Sequence, residues 1–508
     1  MKSIKCISLL LLSLNMAMAQ SDRQSGRVFN DANGNGAYDS GELPLADVYL
    51  SNGKDIVHTD KKGRYSISLR EGNPVFLIKP SGYGLPLTED NIPMTTGGFL
   101  KRHVQVGNGK KDQVDFPLHP QKEEGGFKVA LLGDTQVKVL DDVFYVADLV
   151  GEQLIQEKVD FVVPLGDLVF DNLELFGPLK KVLGKIGAPV QYVYGNHDRD
   201  YDETKIQFRD RTYISHFGPS YYAFNYGDHT FLVLNTVFPE PGTKKYEGRI
   251  DNDQLMFLEN YLQVLPKNAR IHLMMHIPLE NLSNLSELLA LFKGHPNVSA
   301  YAGHTHTQYF KDFGADNDWS HENELVELVA GAVCGTWWRG EKDIYGVPSA
   351  MMRDGTPRGY WIMDLNADSK KLDYKVSGNV PHKQMHIWTP RNFRMEKKFY
   401  LDRSIVANIY AGNKDTEVQV RVEGQDWKPM QKVMEPDPYY RRLLDLQESG
   451  TTPTDNGLPL GKALTSDHIW TAPIPENMGP GVYIVEVSAK NAYGMDARSS
   501  TLLFVDGE

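Results

Sequence analysis

The sequence predicts an α/β core flanked by N-terminal and C-terminal all-β sandwich domains. Three observations carry that expectation. At 508 residues the chain is too long for one ordinary hydrophobic core. From about 126 to 375, short apolar strands alternate with helix-length amphipathic stretches, the pattern of layered α/β structure. On both sides that pattern gives way to alternating apolar and polar runs with turn residues between them. The expected domains are 20–120, 121–378 and 379–508, preceded by a signal peptide over 1–19.

Residues 1–19 have the parts of a secretory signal. Lys2 and Lys5 supply the positive start, Ile7 to Leu14 is mostly apolar, and Ala17-Met18-Ala19 places small residues before a cleavage point at Gln20. The apolar run is too short to span a bilayer, and no later run reaches the ~20 residues needed. The mature protein is therefore expected to be exported, periplasmic or extracellular, without a transmembrane segment. Cleavage also removes Cys6, leaving Cys334 alone, which excludes an intramolecular disulfide and makes Cys334 a small buried residue. The formal charge of −12 becomes −14 without Lys2 and Lys5. Such an acidic chain is a poor non-specific binder of nucleic acid or anionic membrane, although a bound metal would still attract a phosphate, including that of a nucleotide.

In the N-terminal region, Asp47–Ser51, Gly63–Leu69 and Val75–Ile78 read as strands separated by Asn-Gly, Lys-Gly and Glu-Gly turns. Ahead of them, Asp31, Asn33, Asn35, Asp39 and Glu42 fill positions 1, 3, 5, 9 and 12 of a twelve-residue calcium-loop pattern with Gly36 at position 6. Strand-like flanks suit a calcium-stapled β-domain better than a helix–loop–helix sensor. The alternative is a polar turn that binds nothing.

In the middle region, Val143–Gln156 and Leu173–Ile186 space apolar residues as amphipathic helices do. Beyond about 380, Ile405–Tyr410, Glu417–Val422 and Val482–Ser488 alternate as strands of a second sandwich.

The chemistry is written where the middle strands end. Phe127–Leu132 runs into Gly133-Asp134-Thr135-Gln136. Phe161–Leu165 runs into Gly166-Asp167, with Asp171 four residues on. Val190–Tyr194 runs into Gly195-Asn196-His197-Asp198, Ile271–Met275 into His276, and Val298–Ala302 into Gly303-His304-Thr305-His306. Sites in α/β layers lie at the carboxyl ends of strands, so these residues are expected to converge. Carboxylates, an amide oxygen and imidazoles together suit manganese, zinc or iron. Two such ions sharing a carboxylate can generate hydroxide at neutral pH, which phosphate ester hydrolysis requires.

This ordered set of blocks resembles the calcineurin-like metallophosphoesterases over roughly the central half of the chain. The flanking β-domains resemble a three-domain, secreted bacterial subgroup of that family. The resemblance implies an αββα core and a dinuclear metal site. One ion would take Asp134, Gln136, Asp167 and His306, and the other Asp167, Asn196, His276 and His304. A hydroxide bridging the ions would attack phosphorus, His197 would assist at phosphate or leaving group, and Asp198 would orient His197. Many members have His where this chain has Gln136, which leaves the first ion's identity open. The reaction implied is hydrolysis of a phosphate mono- or diester. Export favours a phosphorylated small molecule such as a nucleotide, a lipid head group or a glycan.

Other residues admit two readings. Trp337, Trp338 and Arg339 follow the apolar run Leu325–Val333 and form either a substrate wall or a core tryptophan pair with a surface arginine. Asp171 either supports Asp167 or caps a helix. One of Arg199, Arg209 and Arg211 could clamp a phosphate oxygen, while each singly reads as a solvated charge. His229, His272 and His295 read as packed or surface histidines. A different class of function also fits: a secreted adhesion or glycan-binding protein in which the sandwiches bind and the middle domain is scaffold. Convergence of the ligand residues separates the two.

Overall fold

The computed structural model describes residues 22–97, 111–123, 125–366, 369–378, 380, 382–390, 404–450, 458–476 and 478–505. The expected signal segment and Cys6 lie outside these residues.

In the N-terminal region the strand Arg23–Asn30 is central. It pairs antiparallel with Arg64–Ser68 and parallel with Phe116–Pro120. A small sheet of Ile56–His58, Tyr49–Ser51 and Phe76–Leu77 lies alongside. Alternate residues of Arg64–Ser68 are buried, and Val28, Leu50, Tyr65, Ile67, Leu77, Phe116 and Leu118 fill the interior.

Two sheets with outer helices form the αββα core. One has the order Phe161–Pro164, Phe127–Leu132, Gly359–Leu365, Lys370–Val376. The other runs Tyr222–Tyr226, His229–Val233, Arg270–Met274, Val298–Ala302, Leu325–Ala330, Gln308–Phe313. The chain-central strands are parallel and buried on both faces, which is why they read as continuous apolar runs rather than alternating ones. Leu140–Val146, Glu152–Glu157, Phe176–Gly184, Arg211–Phe217, Asn252–Val264 and Leu285–Leu291 are helices of this region. The predicted helix over 143–156 is interrupted by a π-helical turn at Ala147–Gly151. The predicted strand Val190–Tyr194 is extended but belongs to no sheet. It lies beside Phe161–Pro164, joined by Gln191 N to Val162 O (2.8 Å) and Val193 N to Pro164 O (3.0 Å).

The C-terminal region holds two four-stranded antiparallel sheets, one containing Ser404–Ile409 and Thr465–Pro473, the other Glu417–Val422, Gly481–Lys490 and Asp496–Val505. Its helix Pro438–Glu448 was not anticipated. Asp437 caps that helix by accepting from Tyr440 N, and Pro438 occupies its first turn.

The three regions share contacts that matter for the site. Phe76, Ile78 and Ile92 from the first region and Ile405, Ala407 and Val485 from the last belong to the same apolar cluster as the core. Gly340 N donates to Leu458 O (2.8 Å) and Arg353 Nε to Lys462 O (2.9 Å), so C-terminal backbone fastens the loop after Leu325–Ala330. Buried Asp354 accepts from Gln308 N (2.7 Å), two residues past His306, and lies 3.5 Å from His468 Nε2. His468 Nδ1 is 2.7 Å from Asn408 Oδ1, and Asn408 donates to Asp437 (2.9 Å). Asp354, His468, Asn408 and Asp437 each find a partner here, the condition under which buried polar groups rigidify a structure.

Candidate metal centre

Several candidate ligand residues, and Asp171 beside them, leave their strands through turns that ordinary residues avoid. Gln136, Asp167, Asp171, His304 and His306 have φ of +36°, +48°, +62°, +77° and +52°. Left-handed backbone costs a side-chain-bearing residue roughly 1–2 kcal/mol, so several such residues at one place are held there by their surroundings. The flanking glycines allow close approach. A Cβ on Gly195 would stand 2.0 Å from Asp167 N, and one on Gly133 would stand 2.0 Å from Gly331 O.

These turns bring the candidate ligands together around His276. Its Nδ1 lies 2.9 Å from Leu165 O, which fixes the proton on that nitrogen and points Nε2 inward. Within 3.2 Å of Nε2 lie Asn196 Oδ1 (3.0 Å), Asp167 Oδ1 (3.2 Å) and His304 Nδ1 (3.2 Å). Ligand atoms of Asp167, His276 and His304 are all within 4.8 Å of one another. Asp134 is fully buried, accepts His304 N on both oxygens (3.1 and 2.9 Å), and lies 3.5 Å from His306 Nε2. His306 Nδ1 is 2.6 Å from Gly335 O, again leaving Nε2 toward the carboxylate. Gln136 donates its amide to Asp167 Oδ2 (3.2 Å), so presenting Oε1 to a metal requires the amide to turn.

Burial and mutual charge set the protonation of these groups. Burial and neighbouring Asp167 push the Asp134 carboxyl up, against the pull of His276. Burial also opposes ionisation of Asp167, yet His276, His197 and His304 together hold its carboxyl down. His276 is raised despite burial, because Asp167 and Asp134 stabilise its cation. Burial and the His276 charge drive His304 down to about 3, and burial drives His306 down to about 4. One proton on His276 therefore stands where several lone pairs meet. Oxygen and imidazole donors in this arrangement fit a divalent cation replacing that proton, and such binding strengthens as pH rises.

His197 departs from expectation in its partner. Its Nδ1 lies 2.6 Å from Asp171 Oδ1, and its ring stacks on Phe170 with centroids 4.6 Å apart. Tyr201 OH also donates to Asp171, and Lys244 Nζ is 3.0 Å from Asp171 Oδ2. Burial works against ionisation of Asp171, but Tyr201, His197 and Lys244 hold its carboxyl below the usual range. Asp198 does not orient His197. It is fully buried and accepts from Leu168 N (2.9 Å), Val169 N (3.2 Å) and Gly195 N (3.0 Å), tying the Asp167 turn to the Asn196 turn. Asp171 neither caps a helix nor contacts Asp167; it is the imidazole's partner.

Of the aromatic pair, Trp338 is buried with Nε1 donating to Thr135 O (3.1 Å), so it cannot form a substrate wall. Trp337 is partly exposed and lies against the His306 ring (4.7 Å), with the Arg339 guanidinium 5.3 Å from its own ring. Arg199 is neither a solvated charge nor a free clamp. Its guanidinium is buried and donates to Asn196 O (2.7 Å), Lys245 O (3.1 Å) and Lys244 O (2.9 Å). Arg209 pairs with Asp251 (2.7 Å), and Arg211 lies 3.6 Å from Glu203. Buried His229 and His272 face each other at 2.8 Å, and buried His295 lies 3.0 Å from Leu262 O. Cys334 is buried and unpaired, with burial pushing its thiol up. Sequence reasoning missed Tyr246, whose ring meets His304 edge-on at 6.2 Å. No local pattern marks it.

In the loop 31–42, Asp31 accepts from Gly34 N, Asn35 N and Gly36 N, and Glu42 accepts from Ala32 N and Asp39 N. Asn33 and Asn35 both donate to Asp39 Oδ2 (2.9 and 2.7 Å).

Three family models match the chain in tandem: the N terminal of calcineurin-like phosphoesterase over residues 32–121, calcineurin-like phosphoesterase over 127–308, and the C terminal of calcineurin-like phosphoesterase over 327–496. Among solved structures, a dimetal phosphatase from Danio rerio is 15% identical, with 50% of this chain and 96% of that chain covered and a TM-score of 0.34. The structure of PhoD is 10% identical, with 85% and 98% covered and a TM-score of 0.38. Scores at this level establish no common fold. No curated protein matches the chain. Among the described residues, no helix is long and apolar enough to cross a membrane.

Proposed function

Because the chain belongs to the calcineurin-like phosphoesterases and is a metal-dependent phosphoric ester hydrolase, we propose that it works outside the cytoplasm on a phosphate mono- or diester, with two ions in the centre described above. The observation that carries this reading is the meeting of Asn196, Asp167 and His304 donors at His276 Nε2, with the His276 Nδ1 proton committed to Leu165 O. Convergence of this kind is what a scaffold role would not require.

In this reading Asp134, Gln136, Asp167 and His306 hold one ion, and Asp167, Asn196, His276 and His304 hold the other. Two ions there would make water a competent nucleophile at neutral pH and offset phosphate charge. The protein's own groups do the rest. Asp171 keeps the His197 ring oriented through Nδ1, leaving Nε2 to donate to a phosphoryl or leaving-group oxygen. Asp198 and Arg199 keep the Asp167 and Asn196 turns in place. Export rests on residues 1–19, with their positive start, apolar run and small residues before Gln20.

The test is hydrolysis of p-nitrophenyl phosphate and bis-p-nitrophenyl phosphate by the purified protein with manganese, zinc or iron. Metal-dependent turnover of either ester is expected, and the preferred one separates monoesterase from diesterase. A metal-loaded protein that turns over neither, nor any of a panel of nucleotides, lipid head groups and phosphorylated glycans, would sink the reading.

We also propose that Asp31, Asn33, Asn35, Asp39 and Glu42 bind a structural calcium ion. At calcium about 100 times its Kd, binding would stabilise the protein by about 2.7 kcal/mol. Calorimetry should show Tm rising with calcium over chelator, with the rise lost in Glu42→Gln. A Tm indifferent to calcium would refute it.

A further inference from the structure

Around the metal ligands, two aromatic rings each carry a cation. On one side the ring of Tyr246, 38% exposed, stands against His304, and Arg199 holds the turn leading to it. Buried Arg199 holds the carbonyls of Lys244 and Lys245 with one end of its guanidinium and the carbonyl of the ligand residue Asn196 with Nε. The same guanidinium lies 4.6 Å from the Tyr201 ring and 5.1 Å from the Tyr246 ring. A buried cation committed to backbone carbonyls and ring faces spends its charge on position, not on ligand. What it positions is the backbone of Lys244, whose side chain is 75% exposed and whose ammonium reaches Asp171 beside His197.

The other ring is Trp337, set against His306. Trp337 and Trp338 both have left-handed backbone, φ +50° and +54°, which bulky residues adopt only where surroundings enforce it. Arg339 lies over Trp337, and its Nε is buried with no hydrogen-bond partner among the described residues. A guanidinium backed by an indole face is pre-organised for a carboxylate or phosphate. These cations stand out on a chain whose formal charge is −12.

We infer that Lys244 and Arg339 form a subsite for a second anionic group on the alcohol half of the phosphate ester, with Arg199 as the positioning residue for Lys244. The inference rests on the phosphoesterase reading of the same site. The metals take the scissile phosphate, and the ring-backed cations take a carboxylate or second phosphate carried by the leaving group.

The experiment measures binding rather than turnover, so it is judged separately from the hydrolysis assay. Metal-loaded protein is titrated calorimetrically with three non-hydrolysable probes: propylphosphonate, 3-phosphonopropionate and propane-1,3-diyldiphosphonate. The expected result is that at least one doubly anionic probe binds about tenfold or more tighter than propylphosphonate. The tighter of the two distinguishes a carboxylate subsite from a phosphate subsite. That difference should shrink by about tenfold in Arg339→Met and in Lys244→Met, with metal content measured in each. In Arg199→Lys, which keeps charge but loses the three-way fork, the Lys244 contribution should fall as well. Equal binding of all three probes by the wild type, or an unchanged difference in both Met variants, would overturn the inference. A protein that binds the probes in this pattern yet hydrolyses no ester would instead overturn the hydrolase reading above.

Discussion

Asp167→Asn is expected to lower kcat/KM by about 10³-fold or more, equivalent to ~4 kcal/mol of transition-state stabilisation, and to reduce bound metal. Asp167 is the carboxylate with one oxygen toward each half of the centre. Its Oδ1 lies 3.2 Å from His276 Nε2, and its Oδ2 is 3.2 Å from the Gln136 amide. Asparagine preserves shape, and its oxygen can still accept from His197 N as Asp167 Oδ1 does at 2.8 Å. What it removes is the negative charge that would offset two cations in a fully buried setting, where electrostatic terms are large. Metal analysis beside steady-state kinetics checks this. Full metal content with activity near wild type would show that the carboxylate does not bridge.

The core and the convergence of the candidate ligands were legible because each block follows an apolar run, with a glycine beside Asp134, Asp167, Asn196 and His304, a pattern that survives without any knowledge of contacts. The partner of His197 was not legible. Asp198 adjoins it in sequence, but consecutive side chains in a turn point apart, and the backbone amides of Leu168, Val169 and Gly195 capture Asp198 instead. Asp171, 26 residues from His197, reaches the ring only because the fold brings two strand ends together. The role of Arg199, which the sequence offered only as a clamp or a solvated charge, and the presence of Tyr246 were unreadable for the same reason: they depend on a hairpin more than 40 residues away in the first case and on His304 in the second. The helix Pro438–Glu448 differs. Asp437-Pro438 is a readable start signal, and the surrounding β-pattern masked it. Trp337 and Trp338 are adjacent but take separate roles, because their left-handed backbone turns one ring into the core and leaves the other beside His306.

The two aspartates near His197 should fail in different ways when replaced. Asp171→Asn is expected to lower kcat by about 10²-fold, the scale of a lost general acid or its orientation, with metal content and Tm close to wild type. Asp171 is partly exposed and its other partners, Tyr201 and Lys244, remain able to contact an asparagine oxygen. Asp198→Ala should instead lower Tm, because three buried amides lose their acceptor at about 1–3 kcal/mol each. Leaving-group chemistry makes the distinction sharp. If His197 protonates the departing oxygen, the Asp171→Asn defect will be large for an alkyl phosphate, whose alkoxide needs a proton. It will be small for p-nitrophenyl phosphate, whose phenolate leaves unaided. An equal loss on both esters would move His197 from the leaving group to the phosphoryl oxygens. An intact kcat on both would remove the His197–Asp171 pair from catalysis altogether, even with the metal centre fully loaded.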